Sequence, residues 1–413
     1  MSRCQAPGHG WKGQGGLIDF SLPPEVEDVA ERTRRFVSEV VIPAEANDRE
    51  RGVDPELRAE LQAAARDAGV FAPHVSREFG GLGLDLRGCS VVFEEAGYSP
   101  LGPHTLNCAA PDEGNMHLLE LVASEAQKQR YLAPLAAGET RSCFAMTEPA
   151  PGAGSDPSML RTRAERATGG WVINGRKWFI TGAAGAAFAI CMARTEERID
   201  RDRGATMFLV DAENPGFVLG REIGTMDAAF ASGHYEVAFN DCRVSDDAVL
   251  GEAGLGYRYA QARLGPARLT HCMRWLGLAR RALDIALDRA DEREAFGSRL
   301  ADLGMVQAMI ADSVIDLESS RALIRQAAWT IDTGNTDGQH ESSVAKVHVA
   351  EAVNRVIDRA IQICGALGVS SDLPLARYLA QVRPFRIYDG PSETHRYTIA
   401  RRASRRREQE RAK

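Results

Sequence analysis

Three stretches of this sequence carry side chains suited to chemistry. The first is Arg386-Ile-Tyr-Asp-Gly-Pro-Ser-Glu-Thr-His-Arg396. Its Asp389-Gly390-Pro391 breaks a helical pattern, and Ser392 can cap the helix that resumes after it. Asp389 is thus either a turn residue or a lone carboxylate at the edge of a helical bundle, placed to take a proton. The second stretch, MTEPAPGAGSD over 146–156, joins a strand to a Gly/Pro-rich turn with hydroxyls at Thr147 and Ser155. Such a loop can offer N–H and O–H groups to an anionic or carbonyl-bearing ligand, or serve only as a turn. The third, Gly80-Gly81-Leu82-Gly83, has Leu86 where a dinucleotide fingerprint needs its last glycine. No buried strand run precedes it, so it reads as a plain loop and disfavours a nicotinamide enzyme. The eight cysteines form no CxxC pair and the nine histidines no HExxH, so no metal site is expected.

These stretches need a scaffold, and the hydrophobic spacing supplies one in three textures. From Pro23-Pro24 the apolar Val26, Val29, Ala30, Val37 and Val40 share one helical face, with Pro43 as the expected stop. A second helix is expected from Pro55 to Ala68, ending at Gly69. From about Ser142 short β-prone runs replace helices. The clearest is Trp171 to Thr181, whose Asn174-Gly175 pair suggests a tight hairpin turn. After Gly256 long amphipathic patterns return, which predicts a bundle. The expected order is a leader over 1–20, a helical domain over 21–140, a small β-barrel over 141–250, a bundle over 251–402 and a basic tail over 403–413.

Read together, four stretches resemble the acyl-CoA dehydrogenase family of flavoenzymes. They are CFAMTEPAPGAGSD with WVINGRKWFIT, GPARLTHCMRWLGLA, EREAFG, and QICGALGV followed by YDGPSETHR. The likeness runs from about Leu22 to Arg402, and NCAAPDEGNM and the Asp-Gly-Pro turn are similar to the branch of family members 10 and 11. The resemblance implies an α+β fold: an N-terminal helical domain, a central β-barrel and a C-terminal four-helix bundle. It implies FAD between barrel and bundle, partly across a subunit interface, hence a homodimer or homotetramer.

Carried over residue by residue, the resemblance places Phe144, Met146 and Thr147 along the flavin. Phe179 would lie against its ring, where many members have Trp, and the Thr181 hydroxyl near N5. Ser155 would reach the FAD pyrophosphate or the CoA arm. Arg293 would pair with the FAD of a neighbouring subunit, and Gln362 and Gly365 would line that cofactor's ADP part. Ser392 and Glu393 would touch FAD, and Arg268 is a substrate-side arginine. Asp389 stands where most members have a catalytic Glu, and is the expected base for the α-proton of an acyl-CoA, with hydride passing to the flavin. Some members place the base on the first bundle helix, where Ala267 stands here. The electron acceptor implied is an electron-transfer flavoprotein. An oxygen-using enzyme of the acyl-CoA oxidase or nitroalkane oxidase type, or a non-catalytic flavin-binding partner protein, are the alternatives.

Lysine and arginine number 50 against 57 acidic residues, a net charge of −7, which disfavours a nucleic-acid binder. The last thirteen residues nevertheless hold seven basic and two acidic side chains, a local +5. A solvated, helical extension without a partner is the reading preferred for them. No window reaches the ~18–20 apolar residues that span a bilayer, and scattered cysteines suit a cytoplasmic protein.

Overall fold

Three groups of elements follow one another in the computed structural model, which describes residues 21–45, 54–154, 156–197, 203–227, 233–334 and 338–412. The expected leader over 1–20 and Ser155 lie outside the described residues. The helical start comprises α1 (Pro24–Phe36), α2 (Pro55–Asp67), α3 (Leu86–Gly97) and α4 (Asp112–Val122). Pro43 does not stop the first helical run. A π turn over Val37–Val41 follows α1, and helix continues to Ala44, Pro43 included. α2 stops as its sequence suggests, with Gly69 taking φ +65° two residues beyond.

Seven strands follow: β1 (Ser142–Ala145), β2 (Arg163–Ala167), β3 (Gly170–Thr181), β4 (Phe188–Arg194), β5 (Ala205–Asp211), β6 (Phe217–Glu222) and β7 (His234–Ser245). They form one curled, near-barrel sheet ordered β1-β4-β2-β3-β7-β6, with β5 on the other edge of β4. β4 explains the most apolar stretch of the chain. Phe188, Ile190 and Met192 pack toward the helices, while Ala189, Cys191 and Ala193 fill the inside of the curl. A strand buried on both faces reads as a continuous apolar run, without alternation.

Asn174-Gly175 is not a hairpin turn. β3 runs through it, and the β2–β3 turn lies at Gly169, with φ +79°. The pair instead makes the first of two irregularities in the β3–β7 ladder. Asn174 exchanges hydrogen bonds with Asp241 of β7, its Nδ2 donating at 3.1 Å and its Oδ1 accepting at 2.8 Å. A Cβ on Gly175 would stand 2.4 Å from Thr162 Oγ1, so glycine serves close approach there. The second irregularity, between Lys177 and Ile180, turns Phe179 outward at φ +52°.

The bundle contains α5 (Gly256–Glu292), α6 (Gly304–Asp332), α7 (Gln339–Cys364), α8 (Leu375–Val382) and α9 (Ser392–Arg411), with a two-residue ribbon of β8 (Glu294–Ala295) and β9 (Ser298–Arg299) after α5. α3 crosses α5 where glycine meets glycine. A Cβ on Gly97 would lie 2.0 Å from Arg274 O, and one on Gly277 2.0 Å from Glu94 O. That close crossing seats the helical start against the middle of α5. No helix among the described residues is long and apolar enough to cross a membrane.

Candidate active site

The Asp389 turn is pinned from three sides. Asp389 takes φ +55°, a left-handed conformation that short polar side chains tolerate better than most. Its main-chain carbonyl accepts from Arg268 Nε at 2.9 Å and from His395 Nε2 at 3.1 Å. Lys346 Nζ, fully buried on α7, donates to the next carbonyl, that of Gly390, at 2.8 Å. The side chain is left free of this scaffold. Its Oδ2 stands 3.5 Å from His271 Nε2, and His271 packs against the rings of Phe385 and Tyr388. Trp275 Nε1 donates to Tyr388 Oη at 2.6 Å, which fixes that ring wall.

The two histidines at the turn are neutral for the same reason. Burial pushes the His395 ring down to about 4 and His271 well below its ordinary value. Since a carbonyl can only accept, His395 carries its proton on Nε2, and Nδ1 accepts from Ser343 Oγ at 3.0 Å. Protonation would turn that acceptor into a second donor. His74 and His104 are likewise driven by burial to about 4 and about 3. Each depressed value means that the unfolded chain binds the proton first. Stability is therefore expected to be full above pH ~6.5 and to fall as the pH drops toward 4. Thermal unfolding against pH checks this, and His395→Asn should flatten part of the acid slope.

Asp389 faces a cavity of about 2200 Å³ between the sheet, the helical start and the bundle. Phe144, Met146, Thr147, Phe179 and Thr181 line its sheet side, and Arg268 and Ala267 line it from α5. Phe179 is 44% exposed, an apolar face held edge-on against Trp178 at 4.9 Å between ring centroids. Phe144 lies under the Arg263 guanidinium, 4.1 Å from its ring centre. Thr181 Oγ1 is 2.9 Å from His234 Nδ1, and His234 Nε2 is 3.4 Å from Asp227 Oδ2. An exposed aromatic platform flanked by the Thr147 and Thr181 hydroxyls fits a flat, hydrogen-bonding cofactor such as a flavin.

The loop after β1 is built on a buried ion pair. Glu148 Oε1 accepts from Lys177 Nζ at 2.9 Å and from Thr162 N at 2.8 Å, while Oε2 accepts from Arg161 N at 2.7 Å and Ala153 N at 3.2 Å. Lys177 Nζ also donates to the carbonyls of Met146 and Met192. Burial raises the Glu148 carboxyl, but Lys177 and the Thr162 and Arg161 donors outweigh it and leave it below the ordinary range. This pair fixes the backbone on which Thr147 stands.

Not every expected site residue reaches the cavity. Arg293 follows the last residue of α5, and Gln362 and Gly365 stand at the end of α7. α5 and α7 run parallel, since Ser342 bonds Gly265 O near their starts and Arg289 acts on Cys364 near their ends. Eighteen residues of α7 separate Lys346 from Cys364, about 27 Å along the axis. Within one chain these residues are therefore remote from Asp389. Ser392 is buried behind the turn with an unpartnered Oγ, and the exposed Glu393 faces Arg396 instead of the cavity. Sequence reasoning missed His271, Lys346, His234 and Trp178 as cavity or turn residues. His271, His395 and Trp178 stood inside the motifs it singled out, and none had been given a role.

The chain matches the acyl-CoA dehydrogenase N-terminal, middle and C-terminal domains over residues 23–139, 143–242 and 254–404. It belongs to the acyl-CoA dehydrogenase family. It is 40% identical to the "Probable acyl-CoA dehydrogenase FadE2" of Mycobacterium tuberculosis, with 93% of this chain and 96% of that protein covered. It is 39% identical to acyl-CoA dehydrogenase family member 11 of Gallus gallus, covering 91% of this chain but 50% of that protein, so it spans about half of that relative's length. Among solved structures it resembles the FAD complex of PigA, with a TM-score of 0.84 at 26% identity, covering 94% of this chain and 100% of the other. The protein is an FAD-dependent oxidoreductase of the acyl-CoA dehydrogenase type, acting on a CH–CH bond.

Proposed function

We propose that this family member dehydrogenates the acyl group of a CoA thioester between Cα and Cβ, with Asp389 as the base. The observation that supports it most is the Asp389 turn, whose main chain is fixed by Arg268, His395 and Lys346 while its carboxylate faces the cavity. The α-hydrogen of a thioester is weakly acidic, so a preorganised acceptor in line with it is what the reaction demands. Asp389 takes that hydrogen as a proton. Phe179, with the Thr147 and Thr181 hydroxyls beside it, would hold FAD, which would supply the acceptor for the hydride leaving Cβ. The Asp389 N–H is the donor on this chain suited to polarise the thioester carbonyl. Ala267 carries no group able to replace the aspartate.

The remote Arg293, Gln362 and Gly365 then serve the cofactor of a second copy. Exposed apolar side chains nearby, Phe296 at 95% and Met305 at 83%, suit the face of a homodimer or homotetramer. Seven cysteines are buried and unbridged among the described residues, in keeping with a cytoplasmic protein. An electron-transfer flavoprotein is the proposed acceptor.

Anaerobic titration of the yellow protein with short, long, branched and hydroxylated acyl-CoAs is expected to bleach the flavin with at least one of them. A spectrum indifferent to all would overturn the reading. Turnover that yields peroxide without an added acceptor would instead place the protein among oxygen-using relatives.

A further inference from the structure

α9 does not end with the Asp389 motif. It runs on as one helix to Arg411, through the basic tail. Tyr397, Thr398, Arg401, Arg402, Arg405 and Arg406 all line the same cavity as Asp389. Their spacing of one, four, five, eight and nine residues is that of one helical face. That face carries four arginines; Glu408, three residues after Arg405, shares the face, but neither Glu408 nor Glu410 lines the cavity. Arg258, from the first turn of α5, also lines this cavity.

The charge on this face is only partly neutralised. Arg406 pairs with Glu410 at 3.1 Å, and Arg401 bonds Tyr397 Oη at 3.1 Å. Arg402 and Arg405 form no ion pair among the described residues and are exposed. Exposed arginines without counter-ions repel one another, so their common direction costs free energy unless an anion joins them. The guanidinium fork matches phosphate oxygens in a way a surface lysine does not.

Length selects the anion. From Ser392, three residues after the base, to Arg405 the helix rises about 20 Å. This is the order of an extended pantetheine arm, which separates the thioester from the nucleotide phosphates in CoA. The rest of the chain carries −12 once the tail is removed, so its overall field repels such a ligand and local cations must hold it.

We propose that Arg401, Arg402, Arg405 and Arg406, with Arg258 of the same cavity, form an anion subsite for the nucleotide phosphates of the CoA thioester. The proposal rests on the acyl-CoA reading above and extends it to a segment for which the sequence suggested no partner. The subsite acts on binding, far from the transferred hydrogens, so it lowers KM and leaves the chemical step alone.

The test compares the wild-type holoenzyme with an Arg402→Gln/Arg405→Gln variant on acyl-CoA, acyl-3′-dephospho-CoA and acyl-pantetheine. Both positions are exposed, which keeps folding out of the comparison. The variant is expected to raise KM for acyl-CoA by about tenfold or more at low salt, to raise it less for the dephospho compound, and to shift it less than twofold for acyl-pantetheine. An equal rise for all three, or no rise for acyl-CoA, would overturn the subsite. Calorimetric binding of adenosine 3′,5′-bisphosphate separates the two levels. If the wild type binds it and the variant does not, the subsite stands even where no thioester bleaches the flavin. If neither binds it, the subsite fails while the acyl-CoA reading survives.

Discussion

Asp389→Asn is expected to retain FAD and fold normally, and to lose flavin bleaching by acyl-CoA at a rate about 10²–10⁴-fold below wild type. Asparagine tolerates the left-handed conformation at φ +55° as well as aspartate does. The contacts that hold the turn reach the carbonyls of Asp389 and Gly390, not the side chain, so the substitution leaves them intact. Only the proton acceptor is removed. Rapid anaerobic mixing measures the bleaching rate, and the FAD content of the purified variant is the control. Bleaching at the wild-type rate would take Asp389 out of the mechanism. Asp389→Glu is the companion experiment. One more methylene displaces the carboxylate by ~1 Å from its position beside His271, and a shift of that size costs on the order of 10²-fold. A Glu variant faster than wild type would show that the cavity was shaped for the longer side chain.

The helical, β, helical order was legible because each texture has its own period. The stripes of α5, α6 and α7 repeat at helical spacing over many turns, which local accidents rarely imitate. The error at Asn174-Gly175 has a definite source. The dipeptide suits a tight turn, but β7 offers Asp241 to Asn174, and Thr162 requires glycine next to it. Tertiary partners decided between two uses of the same residues. Pro43 failed as a stop for a related reason, since the π turn before it had already altered the hydrogen-bond ladder.

The candidate site was legible where the motif is contiguous and opaque where it is assembled. Asp389 could be proposed from one short segment. Lys346 could not, because it reaches Gly390 from α7 and nothing in its own neighbourhood marks it. His234 stands fifty-three residues from the Thr181 it touches. The tail shows the opposite case. Its charge was obvious in the sequence, but only the unbroken helix to Arg411 shows that its arginines share a face with the cavity. Charge counts say how much, and geometry says where.

Glu148→Ala and Lys177→Met are expected to destabilise the protein unequally, and the inequality follows from what each deletion leaves behind. Lys177 removed leaves a buried carboxylate that keeps the N–H groups of Ala153, Arg161 and Thr162. Glu148 removed leaves those three donors unpartnered and a buried ammonium with only the carbonyls of Met146 and Met192. Breaking a buried pair costs about 3–5 kcal/mol, and each orphaned donor adds about 1–3 kcal/mol. Glu148→Ala should therefore be the worse of the two, and Glu148→Gln, which keeps one acceptor oxygen, the mildest change at that position. Denaturant unfolding of the FAD-free protein is the deciding measurement. If the losses appear there in this order, the pair is the frame that holds Thr147 beside the cavity, and reduced FAD retention follows from it. Losses confined to the FAD-loaded protein would mean instead that the pair acts through the cofactor, and the loop would have to be rigid without it.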